Sequence, residues 1–438
     1  WWLQVLATPL LITSLIIACA ILITRRELDS IPWLEIGSAT CAALTLTGII
    51  CWLAARHHFE TSQQSLVRIE AAMKLRNALL TMLLTMIMLP LSSGLLAART
   101  YDVLELPAVP SEMADETLIF SIRKFGDRYF ATGHHGHILF SDDGGASWQQ
   151  AQVPVRSSIL DIHFPTPELG WAVGHEAVIL HSSDGGKTWV KQYDGLRYGT
   201  EGKAYYEKMA AADPNDPDLP YYVDEMDFAV QQGADKPLFG VYFLDERRGY
   251  AVGAYGMVLT TLDGGENWTH RLETVENDSF YHVFDFAPLP GEKKFFLAGE
   301  SGLFLVADVS GSYEERHARR ATSVPWEGSF FTSVDTAENS IVVGGLRGRM
   351  FLTPDAGDTW TVVEKPPTSS IVDSTRLENG SLVAVGIAGE ILMSTDNGLS
   401  FSRLPISIGG RIYAVAEGPE GTILVGGPDG IQKLALPQ

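Results

Sequence analysis

Residues 182–189 read SSDGGKTW, and near copies of this string return down the chain. They are SDDGGASW from Ser141, TLDGGENW from Thr261, TPDAGDTW from Thr353 and STDNGLSF from Ser394. The shared pattern is Ser/Thr-x-Asp-x-Gly-x-(Ser/Thr/Asn)-(Trp/Phe). Successive copies start 41, 79, 92 and 41 residues apart. The interval of 92 has a degenerate member inside it: Asp308 is followed by Ser312 and Tyr313, with the glycine displaced by one position. The interval of 79 is one period plus an insertion.

Each string follows the same prelude, an apolar strand, a glycine-marked hairpin and a second apolar strand. Trp171-Ala-Val-Gly174-His-Glu-Ala-Val-Ile-Leu180 and Tyr250-Ala-Val-Gly253-Ala-Tyr-Gly256-Met-Val-Leu259 are two examples. Glycines flanking two residues suit a tight turn that needs positive φ. Short strands recurring near every 40 residues predict four-stranded propeller blades. Seven preludes, the last ending at Leu434, predict an all-β, seven-bladed β-propeller over residues 99–438. The seventh unit lacks room for an outer strand, so Thr100–Leu106 is expected to supply it and leave no open sheet edge.

Within this reading the repeated strings are turns between the third and fourth strands of a blade. The carboxylates of Asp143, Asp184, Asp263, Asp308, Asp355 and Asp396 accept from turn amides. The rings of Trp148, Trp189, Trp268, Trp360 and Phe401 wedge between neighbouring strands. These are fold staples rather than catalytic groups.

Before the propeller the chain is apolar. Residues 1–72 read as a two-helix transmembrane hairpin, with runs over 1–24 and 36–55 long enough to span a bilayer; whether it belongs to the natural mature protein is open at this level. Residues 73–98 read either as a signal peptide beginning Met73-Lys-Leu-Arg or as a third transmembrane helix. Both place Lys74 and Arg76 in the cytoplasm and export the chain beyond Ala98. The expected location is the inner membrane, with the propeller on the periplasmic or a thylakoid-lumen-like side. Cys19, Cys41 and Cys51 all precede the propeller, which must therefore be stable without disulfides.

The chain carries a net charge of −21, and residues 99–438 hold 48 acidic against 26 basic side chains. So acidic a surface argues against nucleic acid as a partner. No cofactor is expected. Gly133-His-His-Gly136 looks metal-like, but His134 and His135 occupy the same hairpin tip as His175-Glu176 and Ala254-Tyr255, where any polar residue is tolerated; no metal site is expected. Asp213-Pro-Asn-Asp-Pro-Asp218 has Pro217 where a calcium loop wants a ligand.

The repeated strings are Asp boxes, and the full unit resembles the photosystem II stability/assembly factor family over roughly residues 100–438. That resemblance implies a seven-bladed propeller on the lumenal or periplasmic side of a membrane that serves assembly of an integral-membrane complex. Photosynthetic members tend to carry Arg just before the box hydroxyl, whereas Phe140, His181, Thr260, Leu352 and Met393 stand there in this chain. The alternative is an Asp-box glycoside hydrolase of sialidase type, or a glycan-binding propeller. It would require an arginine cluster or paired carboxylates in the central channel, and the arginine-containing string that precedes sialidase boxes is missing.

Residues 193–236 interrupt the pattern with seven aromatics and an acidic stretch; 204–212 is expected to be one short helix. Blade-to-blade connections and second-to-third-strand hairpins share one face of a propeller, with the Asp boxes on the other. The expected docking residues are therefore His134, His135, His175, Glu176, Tyr255, Glu300 and Arg347 at hairpin tips, and Tyr205, Tyr206, Tyr221 and Tyr222 in the insertion. The expected function is non-catalytic: a propeller docked on a membrane complex, of photosystem or transporter type, as assembly factor or accessory subunit.

Overall fold

A computed structural model describes residue 78 and residues 102–437, apart from 289–293, 310–316, 322, 338–339, 364–368 and 407. The chain divides into two compact units, Trp1–Thr100 and Tyr101–Gln438. The transmembrane and signal-peptide expectations, the three cysteines, Ser312 and Tyr313 lie outside the described residues. No helix among the described residues is long and apolar enough to cross a membrane.

Seven antiparallel sheets follow one another along the second unit, each built from consecutive strands. Six have four strands; they span residues 119–150, 159–193, 238–270, 283–320, 330–362 and 371–403. The seventh has three strands, over 414–435, among the described residues. The fold is the seven-bladed propeller that the repeat spacing predicts. The second strand of each blade is buried at all but at most one residue, and throughout in Trp171-Ala-Val-Gly and Leu382-Val-Ala-Val-Gly. A neighbouring blade covers each face, so these strands read as continuous apolar runs rather than alternating ones.

The ring does not close as the sequence suggests. Residues 102–106 form a turn rather than an outer strand for the seventh blade. The Val103 carbonyl accepts from the Arg156 amide at 2.7 Å, and Leu104 is buried with Phe130, Ile138 and Val155 of the first blade and its exit. Closure comes instead from side-chain packing: Ile119 and Ile122 of the first blade share a core with Ala414, Ala416 and Leu424 of the seventh. The physical reason lies in the Leu104 side chain, which removes its apolar surface from water in the core shared by the first and second blades.

Five Asp boxes have the expected geometry. In the second blade the Asp184 carboxylate accepts from the Ser182 hydroxyl (2.8 Å), the Lys187 and Thr188 amides (both 3.0 Å) and the Thr188 hydroxyl (2.6 Å). Ser182 Oγ in turn accepts from the Gly186 amide at 2.9 Å. Gly186 has φ +83°, and a Cβ there would overlap the Phe130 ring of the preceding blade. In the fourth blade the third strand ends at Asp308, which is exposed.

The insertion departs from expectation. It is two helices, α1 (Gly195–Ala212) and α2 (Leu219–Gln232), rather than one short helix. Asp194 caps α1 by accepting from the Leu196 and Arg197 amides. Pro220 opens α2 and Gly233, at φ +78°, ends it.

Candidate functional site

The hairpin tips between second and third strands repeat one backbone device. Their second residue is left-handed: His135 (φ 56°), Glu176 (57°), Tyr255 (53°), Ser301 (52°) and Arg347 (58°). Each tip amide is tied to the residue just ahead of its own blade's first strand: His134 N to Leu118 O, His175 N to Ser158 O and Glu300 N to His282 O, at 2.9–3.1 Å. Tips also bond to the entrance of the next blade. His134 Nδ1 lies 2.7 Å from Ser158 Oγ, and the Tyr255 amide donates to His282 Nδ1 at 2.8 Å. Tips and blade entrances thus share one face. The Asp boxes bond instead to the turns after the first strands, as in Gly185 N to Glu168 O and Gly264 N to Arg247 O, so they occupy the opposite face.

His134, His135, His175, Tyr255 and Arg347 are exposed; Glu176 and Glu300 are half-buried. Burial, followed by the neighbouring His135 and His175, lowers the His134 pKa below the ordinary histidine value. Among the described residues no cluster of three His, Cys, Asp or Glu side chains is placed to hold an ion.

The helical hairpin is bolted to blades two and three. Gly199 and Gly202 on α1 let α2 approach; a Cβ at Gly202 would press on His270 Cε1 at 2.6 Å. His270 is buried, and burial lowers its pKa to about 3, so it packs as a neutral ring against Tyr198 (4.7 Å). The Tyr205 and Tyr206 hydroxyls both donate to Glu273, at 3.2 and 2.9 Å. Tyr206 has no accessible surface. It is a packing residue, which corrects its assignment to the docking surface, and replacing all four insertion tyrosines together would disturb the core. Tyr205 and Tyr222 are half-buried against the same core, while Tyr221 is 49 % exposed.

Two exposed aromatics, the expected tip residue Tyr255 and Phe228 of the insertion, complete this face. Phe228 on α2 is 51 % exposed and Tyr255 is 55 % exposed. Between them lies Lys236, only 8 % exposed, with Nζ 5.5 Å from the Phe228 ring and 5.2 Å from the Tyr255 ring. Burial lowers the Lys236 pKa, against the pull of Asp235 and Glu225.

The central channel holds the convergent charges that a hydrolase would need. Arg123, from the first blade, reaches Asp373 Oδ2 at 3.2 Å and Asp161 Oδ1 at 3.5 Å. Burial raises the pKa of Asp161, Asp285 and Asp373 against the pull of Arg123, Asp285 to about 7. Yet each carboxylate accepts from a main-chain amide of the next blade: Asp161 from Val241 (3.2 Å), Asp285 from Ser333 (2.6 Å) and Asp373 from Val415 (2.8 Å). This is an inter-blade staple, built three times over at blades two, four and six.

Comparison with known proteins agrees with the fold. Residues 140–212 and 224–422 match the family model described as photosynthesis system II assembly factor YCF48. The chain is 25 % identical over 186 residues to the photosystem II assembly lipoprotein Ycf48 of Synechococcus sp. (strain CC9902), covering 42 % of this chain and 54 % of that protein. It spans about half the length of the curated relatives it matches. A structure titled YCF48 bound to D1 peptide superposes with a TM-score of 0.52 at 15 % identity, over 76 % of this chain and all of that one. A streptogramin B lyase superposes equally well, at 0.52 and 11 % identity over 74 % of this chain and 95 % of that one, which shows that the propeller alone does not specify function. With more than half of its length matched by the family model, including all five of the boxes at 141–148, 182–189, 261–268, 353–360 and 394–401, the chain belongs to the photosynthesis system II assembly factor YCF48 family.

Proposed function

We propose that this chain is a non-catalytic assembly factor or accessory subunit that docks, through its hairpin-tip face, on an integral-membrane protein complex. The observation that carries this reading is the helical hairpin, anchored on blades two and three and presenting Tyr221 and Phe228 beside the exposed Tyr255. Exposed aromatics on a rigid support are the usual anchors of a protein interface. The family membership supports an assembly role, and a solved structure similar in fold is titled YCF48 bound to D1 peptide. Here the partner class is a membrane complex of photosystem or transporter type. The apolar stretches of residues 1–98 would tether the protein on the periplasmic or lumen-like side; the lipoprotein relatives support a membrane-associated site of action. The channel carboxylates do not favour hydrolysis, because each is engaged by a neighbouring blade's amide.

The test is affinity purification of the tagged full chain from its native membranes in mild detergent, followed by mass spectrometry. The expected result is one membrane protein in stoichiometric yield, lost on Tyr221→Ser combined with Tyr255→Ser. Recovery of soluble proteins only, or of nothing above background, overturns the docking reading.

A further inference from the structure

The first strand of each blade opens with an apolar doublet whose second member is bulged. In six blades the pairing with the second strand slips by one residue there, skipping Phe120, Leu160, Phe239, Phe284, Phe331 and Val372. Tyr413 occupies the corresponding place in the seventh blade, where its amide donates to Gly426 O at 2.7 Å. All seven side chains are half-buried. The strands begin at the tip face, so these residues form a layer at the channel mouth on that face. Bulges re-aim side chains without ending the strand.

In blades three to five the layer is continuous. The Phe239 and Phe284 rings are 5.2 Å apart, and those of Phe284 and Phe331 are 5.4 Å apart. His282 joins the row outward, 5.8 Å from Phe284 and 5.0 Å from Tyr255. Tyr255 leads on to Phe228 through the shared Lys236. An aromatic track thus runs from the helical hairpin, over the third blade's tip, to the channel mouth.

The charge beside this track is acidic. Asp224 and Asp235 are exposed, and Asp224 lies one helical turn before Phe228. Asp278 is exposed close enough to act on Tyr222, and Glu300 Oε2 accepts from the His282 amide at 3.2 Å. Lys236, the cation inside the track, is covered by two rings. Ring faces attract Lys and Arg side chains, and an acidic rim adds to that attraction while repelling acidic segments.

We propose that this track seats an extended polypeptide segment in which basic residues alternate with apolar ones. The inference rests on the docking reading above and names the chemistry of what docks. A strand advances about 3.3 Å per residue, so the ring-to-ring steps correspond to a segment on the order of eight residues. Apolar side chains would cover the Phe239–Phe284–Phe331 row, and basic ones would meet the acidic rim.

The test uses the full-length protein in detergent and two fluorescein-labelled twelve-residue peptides of equal Phe and Leu content, one carrying Lys and Arg, the other Glu. Anisotropy titration should show the basic peptide binding at least tenfold more tightly than the acidic one. Phe228→Ser with Tyr255→Ser, both exposed positions, should weaken it at least tenfold, with unchanged melting temperature as the folding control. Asp224→Asn with Asp278→Asn, which touches no packing, should reduce the preference between peptides. Equal binding of the two peptides, binding of neither, or wild-type affinity in the aromatic double variant overturns the track. Native-membrane capture separates this outcome from the docking reading. If the Phe228→Ser/Tyr255→Ser protein still captures the wild-type partner, the track is refuted and docking stands. If the wild type captures nothing while peptide binding depends on the track, docking on a membrane complex fails and the peptide site stands.

Discussion

Replacing Tyr206 by Phe removes one oxygen from the joint between the helical hairpin and the propeller. That hydroxyl donates to Glu273 Oε2 at 2.9 Å and accepts from the Leu272 amide at 2.9 Å. Glu273 keeps other partners, the Tyr205 hydroxyl at 3.2 Å and Arg271 at 3.4 Å. The Leu272 N–H does not; it sits in a residue 7 % exposed and loses its acceptor. A buried donor left unmade costs about 1–3 kcal/mol. The ring and its packing are unchanged, so this cost falls on docking of the hairpin. At about 1.4 kcal/mol per tenfold, local opening becomes roughly 5- to 150-fold more frequent. Hydrogen exchange followed by mass spectrometry reads this directly. Peptides from α1 and α2 should exchange faster by that factor, while the buried strand Leu382–Gly386 of the sixth blade keeps its wild-type rate. Unchanged exchange in the hairpin would refute the assignment of this joint. An equal rise in the sixth blade would refute the claim that the hairpin opens on its own.

Other outcomes rest on the same geometry. Asp184→Ala removes four hydrogen bonds from one turn and should cost about 1–2 kcal/mol in thermal melting, comparable to loss of a helix cap; Asp184→Asn should cost less, and equal losses would show that the acceptor oxygen is not what matters. Despite the opposing effect of burial, hydrogen bonds from Thr188 and Ser182 hold the Asp184 pKa at about 2, below its usual 3.8; its contribution is present above pH 3.8 and lost as pH falls toward 2. His163 and His270, both lowered to about 3 by burial, contribute stability that is present above the usual 6.5 and declines as pH drops below it, so the melting temperature should fall between about pH 7 and pH 5 and His270→Phe should flatten part of that fall. Asp285 works the other way: raised to about 7 by burial, it contributes most below pH 3.8 and loses that contribution as pH rises through 7, so Asp285→Asn should gain on wild type between about pH 4 and pH 7, and a constant difference would count against the buried carboxylate.

The repeat was legible because its bonds are local. Each Asp box closes within four residues of its carboxylate, so a string of eight residues encodes the whole turn, and the spacing of the strings counts the blades. The apolar second strands were equally plain, since burial on both faces leaves no alternation to interpret. The hairpin tips could be placed on one face from strand order alone. The apolar doublets at 119–120, 238–239, 283–284 and 330–331 were also present in the sequence, but nothing in a doublet says that its second member is bulged.

Contacts between distant residues decided the rest. Gly195, Gly199 and Gly202 lower helix propensity, and read alone they shorten α1; in the fold Gly195 admits Ala234 and the Glu176 carbonyl, while Gly199 and Gly202 let α2 and His270 approach. Tyr206 and Tyr221 are the same residue type in the same insertion, yet one faces Glu273 and the other solvent, a difference set by a partner 67 residues away. The acidic residues Asp161, Asp285 and Asp373 look ordinary along the chain; across blades they become staples 80, 48 and 42 residues long. Local hydrogen bonding wrote the blades into the sequence, whereas ring closure, the seating of the hairpin and the aromatic row depend on which surfaces meet once seven blades pack around one axis.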